Sequence, residues 1–308
     1  MKKIAFMFPG QGAQVVGMGK DFYDKEEEVR LLYKEASKVV GIDLASLCFE
    51  APQETLNQTE NAQIAIAITS LAIAKMVRKS GITQALSVGL SLGEYTALID
   101  AGYLSLEQGM YLLKKRGEYM QNLVPKEEYA MYAVIGLDSK EIEKVCASLS
   151  EQEKIVEPSN YNYSLQTVIS GNKEKVEEAV QVLLQKKARV VPLKTSGPFH
   201  TAKLQKACEE FQKELEKIEW QKGNVPVLKN LDGTFYQEGE DMVSTLTKHM
   251  VSPVRFDKQM KKMQEEQIDT YIELGPGKTL SGFVKKELGS GNIYTVSNLE
   301  GLEQILRQ

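Results

Sequence analysis

The hydrophobic pattern predicts an alternation of buried strands and amphipathic helices. The apolar run from Ile4 to Phe8 ends at Pro9-Gly10, which is typical of a buried strand followed by a turn. A second apolar run, at 85–89, leads into another glycine-containing turn. Helical periodicity extends over about 21–40 and about 62–79. This alternation indicates an α/β fold.

Two further helices are predicted directly after the second strand. The first begins at Ser91 and runs to about Ala101, where Gly102 supplies a stop signal. The second begins at Ser105, because Ser105 and Gln108 have the spacing of a capping box.

The pattern changes between about 130 and 194. Strand, helix, strand, strand, helix and strand follow one another there, which is the order of a ferredoxin-like unit. Helical periodicity then returns, with short strands predicted near 225–228 and at 270–274. We therefore predict a ferredoxin-like (βαββαβ) small subdomain at 128–197, inserted into a large α/β subdomain formed by 1–127 and 198–308.

Composition narrows the classes of protein to be considered. The chain has 308 residues, of which 42% are hydrophobic, and its formal net charge is −4. These values support a folded core and do not suit a general nucleic-acid binder. No apolar stretch approaches a membrane span. Cys48, Cys146 and Cys208 have neither metal-site nor disulfide spacing, so we expect a cytoplasmic protein that binds no metal. From the charge and the lack of a long apolar stretch, we expect neither nucleic acid nor a membrane as a partner.

The segment Gly89-Leu90-Ser91-Leu92-Gly93 places a serine at the junction of a predicted strand and helix. This spacing is that of a nucleophile elbow, in which a sharp turn exposes the hydroxyl at the edge of the sheet. The helix would direct its first N–H groups towards developing negative charge, so the Leu92 N–H is a candidate oxyanion donor. The alternative is a structural glycine turn, but the strand-turn-helix context favours the catalytic interpretation.

Two histidines, His200 and His249, could act as a base for such a serine. His200 follows the last predicted strand of the small subdomain, where a loop side chain can reach a cleft between subdomains. His249 lies in a predicted helix with no loop signal around it. We therefore predict that His200 is the base.

Two other motifs are ambiguous by themselves. Gly10-Gln11-Gly12 follows the first strand, and its glycines would let the Gln11 N–H approach a bound group as a second oxyanion donor. A flexible turn explains the same residues equally well. Asn160 and Asn162 lie between two predicted strands, where asparagine is typical of turns. The pattern alone indicates a structural role for both asparagines.

Taken together, these motifs resemble those of malonyl-CoA:acyl carrier protein transacylases. The resemblance covers nearly the whole chain, with the motifs in that family's order. The matching segments are FPGQGAQ at 8–14, GLSLGEYTAL at 89–98, KKRGEYMQ at 114–121, SNYN at 159–162, TVISG at 167–171, SGPFHTAKL at 196–204, SPVRF at 252–256 and IELGPGKTLSGFVKK at 272–286. The resemblance implies an α/β-hydrolase-like core with an inserted ferredoxin-like small subdomain.

The resemblance also implies roles for the residues of a reacting centre. Ser91 matches the nucleophile of the family, and His200 matches its base. The backbone N–H groups of Gln11 and Leu92 match the oxyanion donors.

Further matches concern the substrate. Arg116 matches the arginine that holds the malonyl carboxylate, although periodicity alone would make it a solvated helix residue. Asn160 and Phe199 lie within matching motifs, and with Gln11 they are expected to contact the substrate.

Two positions depart from a common form of the family's pattern. Leu90 stands where many relatives have His, so a hydrogen bond near the acyl group would be lost. His249 stands where many relatives have Gln. Because a backbone carbonyl of this region orients the base in the family, the change of side chain at 249 is expected to do little harm.

The implied activity is transfer of a malonyl group from malonyl-CoA to the phosphopantetheine thiol of acyl carrier protein, through a seryl ester and with ping-pong kinetics. The product would supply fatty acid synthesis, no cofactor would be needed, and the protein is expected to be a monomer. Three alternatives stay open: a discrete acyltransferase serving a polyketide synthase, a serine thioesterase or esterase, and an interaction module that keeps the fold without catalysis.

Overall fold

The computed structural model describes residues 2–124, 128–194, 197–289 and 291–307. Two sheets with helices packed on them account for most of these residues, and the predicted α/β class is confirmed. Within the described ranges, no helix combines the length and the apolar character that a membrane crossing requires.

A four-stranded parallel sheet with the order β2-β1-β8-β9 forms the centre of the larger part of the chain. Its strands are β1 (Ile4–Phe8), β2 (Leu86–Gly89), β8 (Thr270–Leu274) and β9 (Asn292–Val296). Phe6 and Phe8 pack into one apolar cluster and Ala5 and Met7 into another, so β1 is covered on both faces. Because parallel strands end at one edge, the loops after β1 and β2 meet there.

Helices cover this sheet and the smaller sheet described below, and they connect the strands. They are α1 (Lys20–Lys25), α2 (Glu27–Val40), α3 (Leu44–Phe49), α4 (Gln53–Leu56), α5 (Thr59–Lys79), α6 (Leu92–Asp100), α7 (Leu106–Asn122), α8 (Ser139–Leu149), α9 (Lys173–Gln185), α10 (Gln205–Leu215), α11 (Met242–Met250), α12 (Phe256–Glu265), α13 (Thr279–Leu288) and α14 (Leu299–Leu306), with a 3-10 turn at Ala202–Leu204. The predicted capping box of α7 is present, with Ser105 and Gln108 bonded reciprocally.

A five-stranded sheet with the order β6-β3-β5-β4-β7 forms the second layer. Its strands are β3 (Tyr129–Ile135), β4 (Val156–Tyr163), β5 (Gln166–Asn172), β6 (Arg189–Pro192) and β7 (Val254–Arg255). The element order from β3 to β6 is strand, helix, strand, strand, helix, strand, with α8 and α9 packed on the sheet through a separate apolar cluster. The division of the chain at 127/128 and 197/198 stays a prediction, because 125–127 and 195–196 lie outside the described residues.

One strand of the smaller sheet comes from outside the predicted small subdomain. β7 comes from the later part of the chain, yet it runs parallel to β4, with Asn160 opposite Val254 and Tyr161 opposite Arg255. The smaller sheet is therefore completed by a segment that is distant in sequence.

Some predicted elements differ from those observed. The predicted helix over 21–40 is divided into α1 and α2, because Glu26 has an extended backbone. The segment 225–228 forms isolated bridges instead of a strand, and Pro226 within it has no N–H to donate. The placement of Asn160 and Asn162 in a turn is wrong, since both lie inside β4 and the chain reverses only after Tyr163.

Candidate active site

Ser91 lies at a strained turn between β2 and α6. Its φ of 55° and ψ of −107° fall outside the regions that residues with a side chain prefer. A Cβ added at Gly89 would lie 2.0 Å from the Gly93 backbone, and one added at Gly93 would lie 2.2 Å from the Phe8 carbonyl oxygen. Both glycines are therefore required for this turn, which is the geometry expected of a nucleophile elbow.

Of the two histidines, His200 is the one that contacts the Ser91 hydroxyl. Its Nε2 lies 2.7 Å from the Ser91 Oγ, and its Nδ1 lies 3.2 Å from the carbonyl oxygen of His249. A carbonyl can only accept, so Nδ1 carries the proton and Nε2 is free to accept from the serine hydroxyl. Burial, followed by the effects of His249 and Arg116, lowers the pKa of His200 well below its usual value. The ring is thus held neutral and able to take a proton.

Arg116 brings a buried positive charge to the same serine. It is 1% exposed, its Nη2 donates to the Ser91 Oγ at 3.0 Å, and its Nη1 donates to the Gln63 Oε1 at 2.8 Å. Its guanidinium also lies over the Tyr95 ring. Neither of its two hydrogen-bond partners among the described residues is a carboxylate, and its Nε has no partner among them. Burial lowers the pKa of Arg116, yet an arginine stays charged in proteins.

A pocket of about 270 Å³ opens beside these three side chains. The predicted site residues that line it are Gln11, Leu92, Asn160 and Phe199, besides Ser91, His200 and Arg116. All seven predicted residues therefore meet at one cavity. Leu90 lines the same cavity and gives it an apolar wall where a histidine would offer a hydrogen bond.

The N–H groups of Gln11 and Leu92 are available for a ligand. The first two N–H groups that follow Leu92 in α6 bond to the Leu90 and Ser91 carbonyls. No acceptor contacts the Leu92 or Gln11 N–H within the described part of the chain. Leu92 N–H also has the positive end of the α6 dipole behind it. Such a pair of donors is suited to a carbonyl oxygen that gains negative charge.

A buried polar cluster behind Ser91 is absent from the sequence predictions. It consists of Glu94, Asn230, Tyr236 and the side chain of His249, each at most 5% exposed. Asn230 lies 139 positions after Ser91 and accepts its N–H at 2.9 Å. The prediction that His249 contributes its backbone missed its ring, which stacks on His200 with centroids 4.8 Å apart. No periodicity or motif spacing carried a signal for contacts of this range.

Within the described residues, no group of side chains is arranged so that it could hold a metal ion. The three cysteines are unpaired and buried.

The comparisons with known proteins agree with this geometry. A family model described as an acyl transferase domain matches residues 5–302. The malonyl CoA-acyl carrier protein transacylase of Bacillus subtilis (strain 168) is 40% identical over 304 residues, which cover 98% of this chain and 96% of that protein. This chain belongs to the malonyl CoA-acyl carrier protein transacylase family. The resemblance stated from the motifs is thereby confirmed.

Solved structures of the transacylase family superpose closely on this chain. The malonyl CoA-acyl carrier protein transacylase of Clostridium perfringens is 41% identical, with a TM-score of 0.95 over 99% of this chain and 96% of that one. A malonyl-transacylase in complex with a type II PKS acyl-carrier protein is 35% identical, with a TM-score of 0.95 over 99% of both chains. The fold of this chain is thus shared with a malonyl-transacylase that binds a type II PKS acyl-carrier protein.

Proposed function

We propose that this chain transfers a malonyl group from malonyl-CoA to the phosphopantetheine thiol of an acyl carrier protein, through an ester on Ser91. The observation that carries the proposal is Arg116, a buried cation 3.0 Å from the Ser91 Oγ with no carboxylate among its hydrogen-bond partners in the described structure. A malonyl thioester brings a free carboxylate to a pocket that needs one.

The acylation step follows from the positions of the side chains. Neutral His200 accepts the proton of Ser91 at Nε2 while the serine oxygen attacks the thioester carbonyl. The N–H groups of Gln11 and Leu92 stabilise the oxyanion, a contribution of about 2.7–4 kcal/mol per donor in related chemistry. His200 then protonates the departing CoA thiolate, and malonyl-Ser91 remains.

The transfer step repeats this chemistry in reverse. The phosphopantetheine thiol gives its proton to His200 and attacks the serine ester, and the Ser91 oxygen takes the proton back as it leaves. Because both steps use one serine, the kinetics are ping-pong.

The carrier protein of fatty acid synthesis is the partner we propose, and a polyketide carrier protein is the second candidate. The similar malonyl-transacylase in complex with a type II PKS acyl-carrier protein keeps the second candidate open. A hydrolase would release malonate from the acyl-enzyme without any thiol. A module without catalysis would leave Ser91 unreactive.

Further features belong to the same proposal. We propose that the enzyme needs no metal or redox cofactor, since two proton transfers and one buried cation account for the chemistry. A cytoplasmic location suits three unpaired cysteines. We also propose that the enzyme works as a monomer, because a single chain supplies the nucleophile, the base, the oxyanion donors and Arg116.

Intact-protein mass spectrometry tests the function directly. After mixing with malonyl-CoA, we expect the mass of one malonyl group on the wild-type chain, its removal by acyl carrier protein, and no adduct on Ser91→Ala. An adduct that persists on Ser91→Ala would refute the nucleophile. Spontaneous loss of the adduct without a thiol acceptor would instead show a hydrolase.

A further inference from the structure

Glu94 is a buried carboxylate one turn into α6 from Ser91, and it does not line the pocket. Its Oε1 accepts hydrogen bonds from the Asn230 backbone N–H and the Tyr236 hydroxyl, each at 2.9 Å. Its Oε2 lies 2.9 Å from the Nδ1 of His249, at an angle outside the hydrogen-bonding range. A carboxylate is costly to bury unless such contacts compensate it. Glu94 therefore connects two residues that each touch the reacting pair.

The first of these residues, Asn230, holds the strained turn. Its Oδ1 accepts the Ser91 N–H at 2.9 Å, and its Nδ2 donates to the Gly89 carbonyl at 2.7 Å. One side chain thus bonds the backbone on both sides of Leu90. A turn with a positive φ at a serine persists only when its surroundings impose it. Asn230 in turn depends on the bond from its backbone N–H to Glu94.

The second residue, His249, supports the base. Its carbonyl oxygen accepts from the Nδ1 of His200, and its ring lies against the His200 ring with an angle of 24° between them. His200 has a φ of 61°, so its backbone is strained as well. Among the described residues, Glu94 is the charged group that contacts the His249 ring.

We propose that Glu94 is a positioning residue for acyl transfer, which fixes Asn230 against the Ser91 backbone and His249 against the His200 ring. The inference rests on the proposed function, because it assigns Glu94 a part in that reaction. The length of the Glu94 side chain is the property that matters, because its two carboxylate oxygens extend from Asn230, which supports the nucleophile, to His249, which supports the base. The negative charge of the carboxylate matters less than this length.

Two substitutions at this position separate length from charge. Glu94→Gln keeps the length and an oxygen for the Asn230 and Tyr236 donors, so kcat should stay within about fivefold of wild type. Glu94→Asp keeps the charge but withdraws it by one methylene, and misplacements of about 1 Å can cost about a hundredfold in rate. We expect Glu94→Asp to lose at least about thirtyfold in kcat, with KM for malonyl-CoA within about threefold.

The matched control is Tyr236→Phe, which removes a donor from Glu94 but leaves its contacts with Asn230 and His249. This variant should keep kcat within about twofold, since neither supported residue loses its contact. Wild-type kcat in Glu94→Asp would overturn the inference. A larger loss in Glu94→Gln than in Glu94→Asp would also overturn it, because charge and not reach would then be essential.

Two further measurements guard against misfolding and against an error in the assigned substrate. Asn230→Asp keeps the acceptor for the Ser91 N–H and removes the donor to Gly89, so it should lose kcat as Glu94→Asp does even if Glu94→Asp fails to fold. Wild-type kcat in Asn230→Asp would contradict the inference. The rate of Ser91 labelling by a fluorophosphonate should fall in parallel in both variants. Labelling that follows this pattern while no malonyl transfer occurs would refute the function and leave the positioning role supported.

Discussion

Individual hydrogen bonds, each to a single atom, hold the reacting residues of this transacylase in position. Ser91 Oγ meets His200 on one side and Arg116 on the other, while its N–H is bound by Asn230. His200 is fixed at both ring nitrogens. At the residue scale, substitutions can therefore test whether Arg116 binds the acyl group and whether His200 or His249 acts as the base.

Arg116 is expected to determine selectivity for an acyl group with a free carboxylate. Arg116→Ala should lose at least about tenfold in kcat/KM for malonyl-CoA, since a charge-assisted hydrogen bond contributes about 1.5–3 kcal/mol. Acetyl-CoA has no carboxylate to lose, so its kcat/KM should stay constant or rise. The quantity to measure is the ratio of the two values in one buffer. Equal losses for both substrates would mean that Arg116 supports the fold or binds CoA.

His200 and His249 are expected to differ sharply as variants. His200→Ala should slow formation of the malonyl adduct by about 10²–10⁴-fold, the usual contribution of a general base. His249→Gln should keep activity within about tenfold, because the carbonyl that orients His200 belongs to the backbone and a glutamine amide N–H can face Glu94 in place of the ring. Stopped-flow acylation rates for both variants check this expectation, and similar losses at the two positions would contradict it.

The pH dependence of acylation provides a second measurement on the same base. Burial and neighbouring His249 and Arg116 lower the pKa of His200, and only the neutral ring accepts a proton. Acylation should therefore persist as pH falls past about 6.5, the ordinary histidine value, and decline only at lower pH. A decline centred at or above pH 6.5 would show that His200 is not shifted in this way.

At the scale of elements, close packing of α6 against β1 and β2 places the nucleophile. The α6 helix approaches so closely that Gly93 faces the Phe8 carbonyl without room for a methyl group. The α7 helix, which carries Arg116, is held to α10 by side-chain hydrogen bonds to Glu214. Each of these two contacts can be tested by one substitution.

Gly93→Ala is expected to destabilise the fold, because its Cβ would lie 2.2 Å from the Phe8 oxygen. Overpacking of this kind costs about 1–3 kcal/mol or more. The matched control is Gly282→Ala in α13, where no atom lies within 4 Å of the added Cβ. There the loss of backbone freedom in the unfolded chain should stabilise by about 0.5–1 kcal/mol. Urea unfolding of both variants measures the difference, and equal effects would refute the packing argument.

Glu214 is expected to stabilise the contact between α7 and α10 in a pH-dependent manner. Burial alone would raise its pKa, but hydrogen bonds from Lys217, Tyr111 and Tyr119 outweigh burial and lower it to about 2. Since the unfolded value is about 4.3, the stabilisation is complete above that pH and is lost as pH falls towards 2.

Glu214→Gln should therefore lower the free energy of unfolding at pH 7, by about 1.5–3 kcal/mol for a charged hydrogen-bonded group. The difference from wild type should shrink between about pH 4.3 and 2. The control is Glu210→Gln on the same helix, whose exposed pair with Lys213 contributes about 0–1 kcal/mol. A difference between Glu214→Gln and wild type that is the same at pH 7 and pH 3 would contradict the assignment.

At the scale of the whole molecule, local signals predicted more than distant ones did. The strand-turn-helix around Ser91, the capping box at Ser105 and the α8 helix follow from neighbouring residues, and all are present. Asn230 could not be predicted, because its bond to Ser91 joins residues 139 positions apart. Glu94 gave no signal either, since a glutamate early in a helix is ordinarily a favourable surface residue.

Strands β7 and β9 are absent from the sequence predictions for a related reason. β9 is half exposed along most of its length, so it lacks the continuous apolar run that revealed β1. β7 has two residues, and its pairing with β4 brings together segments about 94 positions apart (254 − 160). Asn160 and Asn162 were placed in a turn because of their residue type, whereas contact with the pocket explains asparagine inside a strand.

The pairing of β7 with β4 has a consequence for recombination between relatives. A crossover that exchanges only the segment 128–197 would carry four strands of the small sheet but leave the fifth, Val254–Arg255, with the other parent. Arg255 also stacks on Tyr161 and binds Asp257. In such a chimera, β4 of one parent would pack against the β7 side chains of the other parent. Chimeras that inherit 252–257 together with the insertion keep these contacts. The segments that must be exchanged together are thus discontinuous in sequence, and breakpoints chosen from the linear sequence alone would separate them.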